Sequence, residues 1–129
     1  MHTLYGIKNC DTVKKARLWL DQNGIAYQFH DFRADGLTLA QLNVFATRVD
    51  WNTLLNRSSA SWRQLSAEQQ SDLTLEKAIA LMLNTPSLIK RPILDTGDKL
   101  IIGFTAKEGG YAAHLPEAGT AKTDHYQTE

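Results

Sequence analysis

His2-Thr3-Leu4-Tyr5-Gly6-Ile7-Lys8-Asn9-Cys10-Asp11-Thr12-Val13-Lys14-Lys15-Ala16-Arg17-Leu18-Trp19-Leu20 is the stretch whose reading decides the fold. Thr3 to Tyr5 has strand-forming residue types, and Gly6 breaks the run. From Val13 the apolar residues recur at 13, 16, 19 and 20, one stripe of an amphipathic helix, with Lys14, Lys15, Arg17 and Asp21 on the other face. Gly24 ends that helix. Ile25 to Phe32 is aromatic-rich and partly alternating, a second strand. Strand, helix and strand make a βαβ unit, whose crossover makes the two strands parallel neighbours.

Cys10 is the single cysteine of the chain, and it stands at the first turn of that helix. A thiolate in this position meets unpaired backbone N–H groups of residues 11 to 13 and the positive end of the helix dipole, both of which favour the anion. Lys8, Lys14 and Lys15 assist and Asp11 opposes. A free cysteine is also often a small buried hydrophobe, but the strand, glycine loop and helix favour chemistry. Val13 occupies the place where a dithiol reductase carries its second cysteine, so no disulfide can form within the chain. A covalent intermediate on Cys10 must be resolved by sulfur from outside.

At 129 residues, with 43% apolar and 9% aromatic side chains, the chain is long enough for one packed core. Fourteen basic residues balance fourteen acidic ones, so the net charge points to neither a nucleic-acid nor a membrane partner. The sequence has no apolar run of about 18 residues, no signal peptide is expected, and a reducing, cytoplasmic location is expected. His2, His30, His114 and His125 have no mutual spacing that suggests a metal site, and none is expected. Trp19, Trp51 and Trp62 lie on or beside apolar helical stripes and read as core.

Beyond Gly36, Thr38-Leu39-Ala40-Gln41 has the form of a capping box opening a helix with Leu39, Leu42, Phe45, Ala46 and Val49 inward. Asp50 caps a short turn through Leu55, residues 56 to 63 read as a polar loop, and Ser66-Ala67-Glu68-Gln69 is a second capping box. Thr74 opens a helix with Leu75, Ala78, Ile79, Met82 and Leu83 inward, which Pro86 terminates. Ser87 to Asp95 leads into a third strand, and Thr96-Gly97-Asp98 turns it antiparallel onto Lys99 to Phe104. Thr105-Ala106-Lys107-Glu108 caps a final helix.

Three separated segments coincide: Gly6 to Cys10, Asn56-Arg57-Ser58 after a helical stretch, and Leu88-Ile89-Lys90-Arg91-Pro92-Ile93 before a hairpin. Together they resemble the ArsC (arsenate reductase) family of thioredoxin-fold proteins, which also contains the Spx transcription regulators. The opening Leu4 to Thr12 with Lys14-Lys15-Ala16-Arg17 is closest to the YffB-type branch. The resemblance implies an α/β, thioredoxin-like (glutaredoxin-like) mixed four-stranded sheet with an inserted helical subdomain. Residues 1–115 would form one such domain with its insertion at about 38–84, and 116–129 a disordered tail.

The resemblance also implies a nucleophile at Cys10 and an arginine preceding a cis-proline at Arg91-Pro92, with Cys10 and Arg91 catalytic. Lys8, Asn9, Arg57 and Pro92 would contact substrate or glutathione, the neighbourhood of the Pro92 carbonyl aligning an extended substrate backbone. Taken without the resemblance, Lys8, Arg57 and Arg91 also read as solvated surface cations. The implied activity is that of a glutathione-dependent thiol reductase; arsenate reductase and an Spx-like regulatory module are the alternatives. Glutathione or another small thiol is the expected co-substrate, a protein or small-molecule disulfide the expected substrate, and the chain is expected to act as a monomer. Arsenate reductases of the family carry a third arginine near Gly103-Phe104, where this chain has no cation. Arginine placed at either position is therefore expected to raise arsenate turnover.

Overall fold

Leu4, fully buried, is paired in register with Phe29 on one side and Leu94 on the other, and so marks the centre of the sheet. The structure is a computed structural model that describes residues 2–105 and 110–115. The chain divides into two compact units, one made of the residues up to Asp31 together with those from Arg91 onward, the other of Phe32–Lys90.

The first unit holds a four-stranded sheet in the order β2-β1-β3-β4. Strand β1 (His2–Gly6) runs parallel to β2 (Tyr27–Asp31) and antiparallel to β3 (Ile93–Asp95), which pairs antiparallel with β4 (Leu100–Ile102). Helix α1 (Asp11–Gln22) makes the crossover from β1 to β2 and buries Val13, Ala16 and Leu20, three positions of the stripe read from the sequence. The core cluster is Leu4, Ala16, Leu20, Ile25, Leu94, Tyr111 and Leu115, with Trp19, Tyr27, Phe29, Ile101 and Phe104 packed against it. Full burial of an aliphatic side chain of this size stabilises by about 1.5–3 kcal/mol. The hairpin turn is held by Thr96, whose N–H donates to the Lys99 carbonyl at 3.0 Å while its hydroxyl accepts from the Lys99 N–H at 3.0 Å.

Gly6 is part of the strand rather than a break in it. A β-carbon there would stand 2.8 Å from Val13 Cγ2, so the absent side chain is what lets the first turn of α1 lie close against β1.

The second unit is helical: α2 (Leu39–Arg48), α3 (Trp51–Leu54), α4 (Ala60–Arg63), α5 (Ala67–Gln70) and α6 (Leu75–Asn84), followed by a 3₁₀ turn at Pro86–Leu88. Each of these helices starts on a hydroxyl or carboxylate cap. Thr38 with Gln41 and Ser66 with Gln69 form complete capping boxes, and Asp50, Ser59 and Thr74 accept from backbone N–H groups of Asn52, Trp62 and Lys77. Two expectations change here. Residues 56–63 are not all loop, because Ser59 caps the short helix α4. Leu39 and Leu75, read as inward, are 52% and 38% exposed, since each is the first residue of its helix and the buried stripe starts a turn later at Leu42 and Ala78. The capping set read at residues 105–108 falls largely outside the described residues; the last described helix, α7 (Tyr111–His114), begins on Gly110. The 116–129 tail also lies outside them.

Candidate active site

The register of the sheet gathers the expected residues at one end. Gly6, the last residue of β1, pairs with Asp31, the last of β2. One step back Tyr5 pairs with Ile93, so Pro92 and Arg91, which precede β3, continue past the same end. The N–H of Gly103 donates to the Pro92 carbonyl at 2.8 Å and brings the end of β4 there as well. The loop Ile7 to Asn9 leaves from this end and delivers Cys10 as the N-cap of α1.

Cys10 is partly exposed and free. Its backbone does the capping, its carbonyl accepting from the Lys14 N–H at 2.9 Å. Its side chain makes no capping hydrogen bond, contrary to the expectation that the amides of residues 11 to 13 hold the sulfur.

The peptide bond between Arg91 and Pro92 is cis, as the resemblance implied. Arg91 is partly buried, its Nε is shut off from solvent without a hydrogen-bond partner, and it makes no ion pair among the described residues. Pro92 is buried. Its carbonyl accepts from Gly103 inside the sheet.

Lys8 and Asn9 are exposed in the loop before Cys10. The backbone N–H of Lys8 donates to Asp31 Oδ2 at 3.3 Å. Arg57 belongs to the helical unit, exposed, with Nη2 donating to Asn52 Oδ1 at 3.0 Å and its guanidinium carbon 5.5 Å from the Trp62 ring centroid. Trp62 is thus a half-exposed platform for Arg57 rather than plain core.

The missing third cation also has a structural setting. Gly103 has a φ of +80°, the left-handed region in which a side chain is strained. Phe104 packs edge-on to Tyr111, with centroids 4.8 Å apart, and to Trp19 at 6.5 Å, as part of the core rim. Arginine at either position would meet strain or displace core packing, so the expected gain in arsenate turnover from such a change is withdrawn.

Sequence reasoning missed Asp31. It is 5% exposed, the buried charged side chain among the described residues, and sits where the alternating strand ends. The signal was an acidic residue in an otherwise aromatic strand flanked by His30 and Phe32. Among the described residues no group of three His, Cys, Asp or Glu side chains could hold a metal ion, and no helix is long and apolar enough to cross a membrane.

The mixed sheet, the crossover helix with a cysteine at its start, and the cis-proline at the same end of the sheet define a thioredoxin-like fold. The sequence model of the ArsC family matches residues 5–110, and the chain belongs to that family. A solved structure of a protein named YFFB is similar at 47% identity and a TM-score of 0.82, covering 89% of this chain and 99% of that one. An arsenate reductase (ArsC) related protein from Brucella melitensis is 45% identical with a TM-score of 0.72, covering 88% of this chain and 92% of that one. The global transcriptional regulator Spx 1 of Bacillus cereus is 26% identical over 110 residues, 84% of this chain and 83% of its own.

Proposed function

We propose that the chain is a glutathione-dependent thiol reductase that uses Cys10 as its single nucleophile. The observation that carries this reading is the partnerless Arg91 guanidinium nitrogen, buried at the sheet end from which the Cys10 loop departs. A partly exposed guanidinium whose Nε has given up water without gaining a protein partner is poised for an anion from outside. Glutathione brings carboxylates, and a thiolate leaving group brings developing negative charge.

In the proposed cycle the Cys10 thiolate attacks the glutathionyl sulfur of a mixed disulfide, breaking the S–S bond and releasing the other sulfur as thiolate, which takes a proton to become thiol. The Cys10 sulfur is then bonded to glutathione. A second glutathione thiolate attacks the glutathionyl sulfur of that bond, forming oxidised glutathione and returning Cys10 to thiolate. Arg91 stabilises the charge at each exchange, and Lys8 and Asn9 flank the incoming glutathione.

Arsenate reduction is the second reading, supported by likeness to the Brucella melitensis protein. It ranks lower because the position of the third arginine is filled by Gly103 and the core-packed Phe104. An Spx-like binding role draws on the likeness to Spx 1, against which stands Val13 in place of a second cysteine.

Intact mass after incubation with oxidised glutathione, and separately with arsenate plus reduced glutathione, tests the order on wild type and Cys10→Ser. The expected result is one glutathionyl group on wild type, removed by excess reduced glutathione, and none on the serine variant. Absence of the adduct under conditions that modify a monothiol glutaredoxin overturns the thiol-reductase reading. Sustained arsenate turnover puts the second reading first.

A further inference from the structure

We infer that Asp31 is a positioning residue for the reaction of Cys10, acting through the Lys8 backbone N–H to fix the loop that carries the sulfur relative to Arg91. The inference deepens the thiol-reductase reading and rests on it for the role of Arg91. Asp31 is buried, and a carboxylate is rarely kept from water unless something in the fold uses it. Its position says what that is. Leu4 and Phe29, a register pair, turn into the core that α1 covers. Gly6 and Asp31, two residues further along the same strands, are on that same face, where Gly6 has no side chain and lies against Val13 of α1. The Asp31 carboxylate therefore sits beneath the β1–α1 connection, and its Oδ2 takes the Lys8 N–H at 3.3 Å, two residues before Cys10.

The loop from Ile7 to Asn9 has no backbone hydrogen bond in the sheet to hold it, since pairing of β1 stops at Gly6. A side-chain acceptor at its middle supplies that restraint. A misplacement of about 1 Å at a reacting centre can cost as much as ~100-fold in rate, so an anchor here governs how well the sulfur and the Arg91 guanidinium address one anionic disulfide together.

The sign of the effect separates anchoring from charge. Asp31 brings a negative charge; were charge its contribution, removing it would make the site more receptive to an anionic reagent. Loss of an anchor does the opposite. The readout is the ratio of Cys10 reaction rates with an anionic aromatic disulfide, 5,5′-dithiobis(2-nitrobenzoate), and a neutral one, 4,4′-dithiodipyridine. Any accessible thiol reacts with both, so the ratio is read whether or not glutathione forms its adduct.

In the full chain, Asp31→Ala is expected to lower this ratio about tenfold, while Asp31→Asn, which keeps an oxygen acceptor, stays within about threefold of wild type or rises. A general loss of structure lowers both rates and leaves their ratio unchanged. Should Asp31→Ala fail to fold, Lys8→Pro, which removes the N–H donor together with the side chain, is compared with Lys8→Ala, which removes the side chain alone; the proline variant is expected to lower the ratio well below that of the alanine variant. An unchanged or raised ratio in folded Asp31→Ala, an equal fall in Asp31→Asn, or equal behaviour of the two Lys8 variants overturns the inference. Failure of the glutathione adduct in wild type, with the ratio behaving as expected, overturns only the reading of the co-substrate.

Discussion

Gly6 illustrates how one missing methyl sets the site. A β-carbon there would lie 2.8 Å from Val13 Cγ2 and 3.2 Å from Cγ1, and Val13 is fully buried with no flexible end to swing aside. Gly6→Ala is therefore expected to push α1 off the sheet and destabilise by about 1–3 kcal/mol, the usual cost of overpacking. Chemical denaturation of Gly6→Ala, Val13→Ala and the double variant checks this: the double variant should lose less than the sum of the singles, because removing the valine methyls makes the room the alanine needs. Additive losses would mean the contact is not the constraint. At this scale the sequence was partly legible. Cys10 and Arg91-Pro92 stood out by type and order, whereas the reason for Gly6 depends on Val13, seven residues on and across a layer, which no local pattern reports. Asp31 was marked only by its acidic type in an aromatic strand, because its burial is a property of what covers it.

At the scale of elements, side-chain caps fix where the helices of the insertion begin, and caps are readable from sequence because they are local. Thr38, Asp50, Ser66 and Thr74 all open helices where the sequence placed them. Ser59 was hidden by the polar residues around it, and α4 is only one turn long, too short to show a period. Asp50 makes a pH-dependent prediction. The backbone N–H of Asn52 and then its side-chain amide hold the Asp50 carboxyl below the ordinary carboxylate range. A carboxyl whose ionisation is easier in the folded state contributes stability above its unfolded value and loses it as pH falls through the folded one. Asp50→Ala should accordingly be less stable than wild type at neutral pH, with the gap closing below about pH 4, near the unfolded carboxylate value. Urea titrations across that range check it; a gap that persists in acid would assign the cap to packing of α3 instead.

For the molecule as a whole, the sheet unit is closed by an aromatic group drawn from three distant places: Trp19 on α1, Phe104 after β4 and Tyr111 on α7. Tyr111 stands edge-on to both of the others, with centroids 5.6 and 4.8 Å apart. Tyr111 is fully buried, which pushes its hydroxyl well above the ordinary tyrosine range, so it stays a neutral phenol. Phe104→Arg is expected to cost about 1–3 kcal/mol by dismantling this group and to bring no rise in arsenate turnover, the two being read by thermal unfolding and a glutathione-coupled assay. A folded Phe104→Arg protein with clear arsenate turnover would show that the position faces the chemistry after all. The order of the strands carries a different consequence, one that concerns synthesis. Strand β1 leaves the ribosome before the other three strands, with Cys10 directly behind it, but its antiparallel neighbour begins only at Ile93. The whole of Phe32–Lys90 is made in between, as one uninterrupted stretch. While that stretch is being made, the nascent chain carries Cys10 on a sheet that lacks half its strands, so the interval in which its thiol can be captured by stray disulfides is set by the length of the insertion.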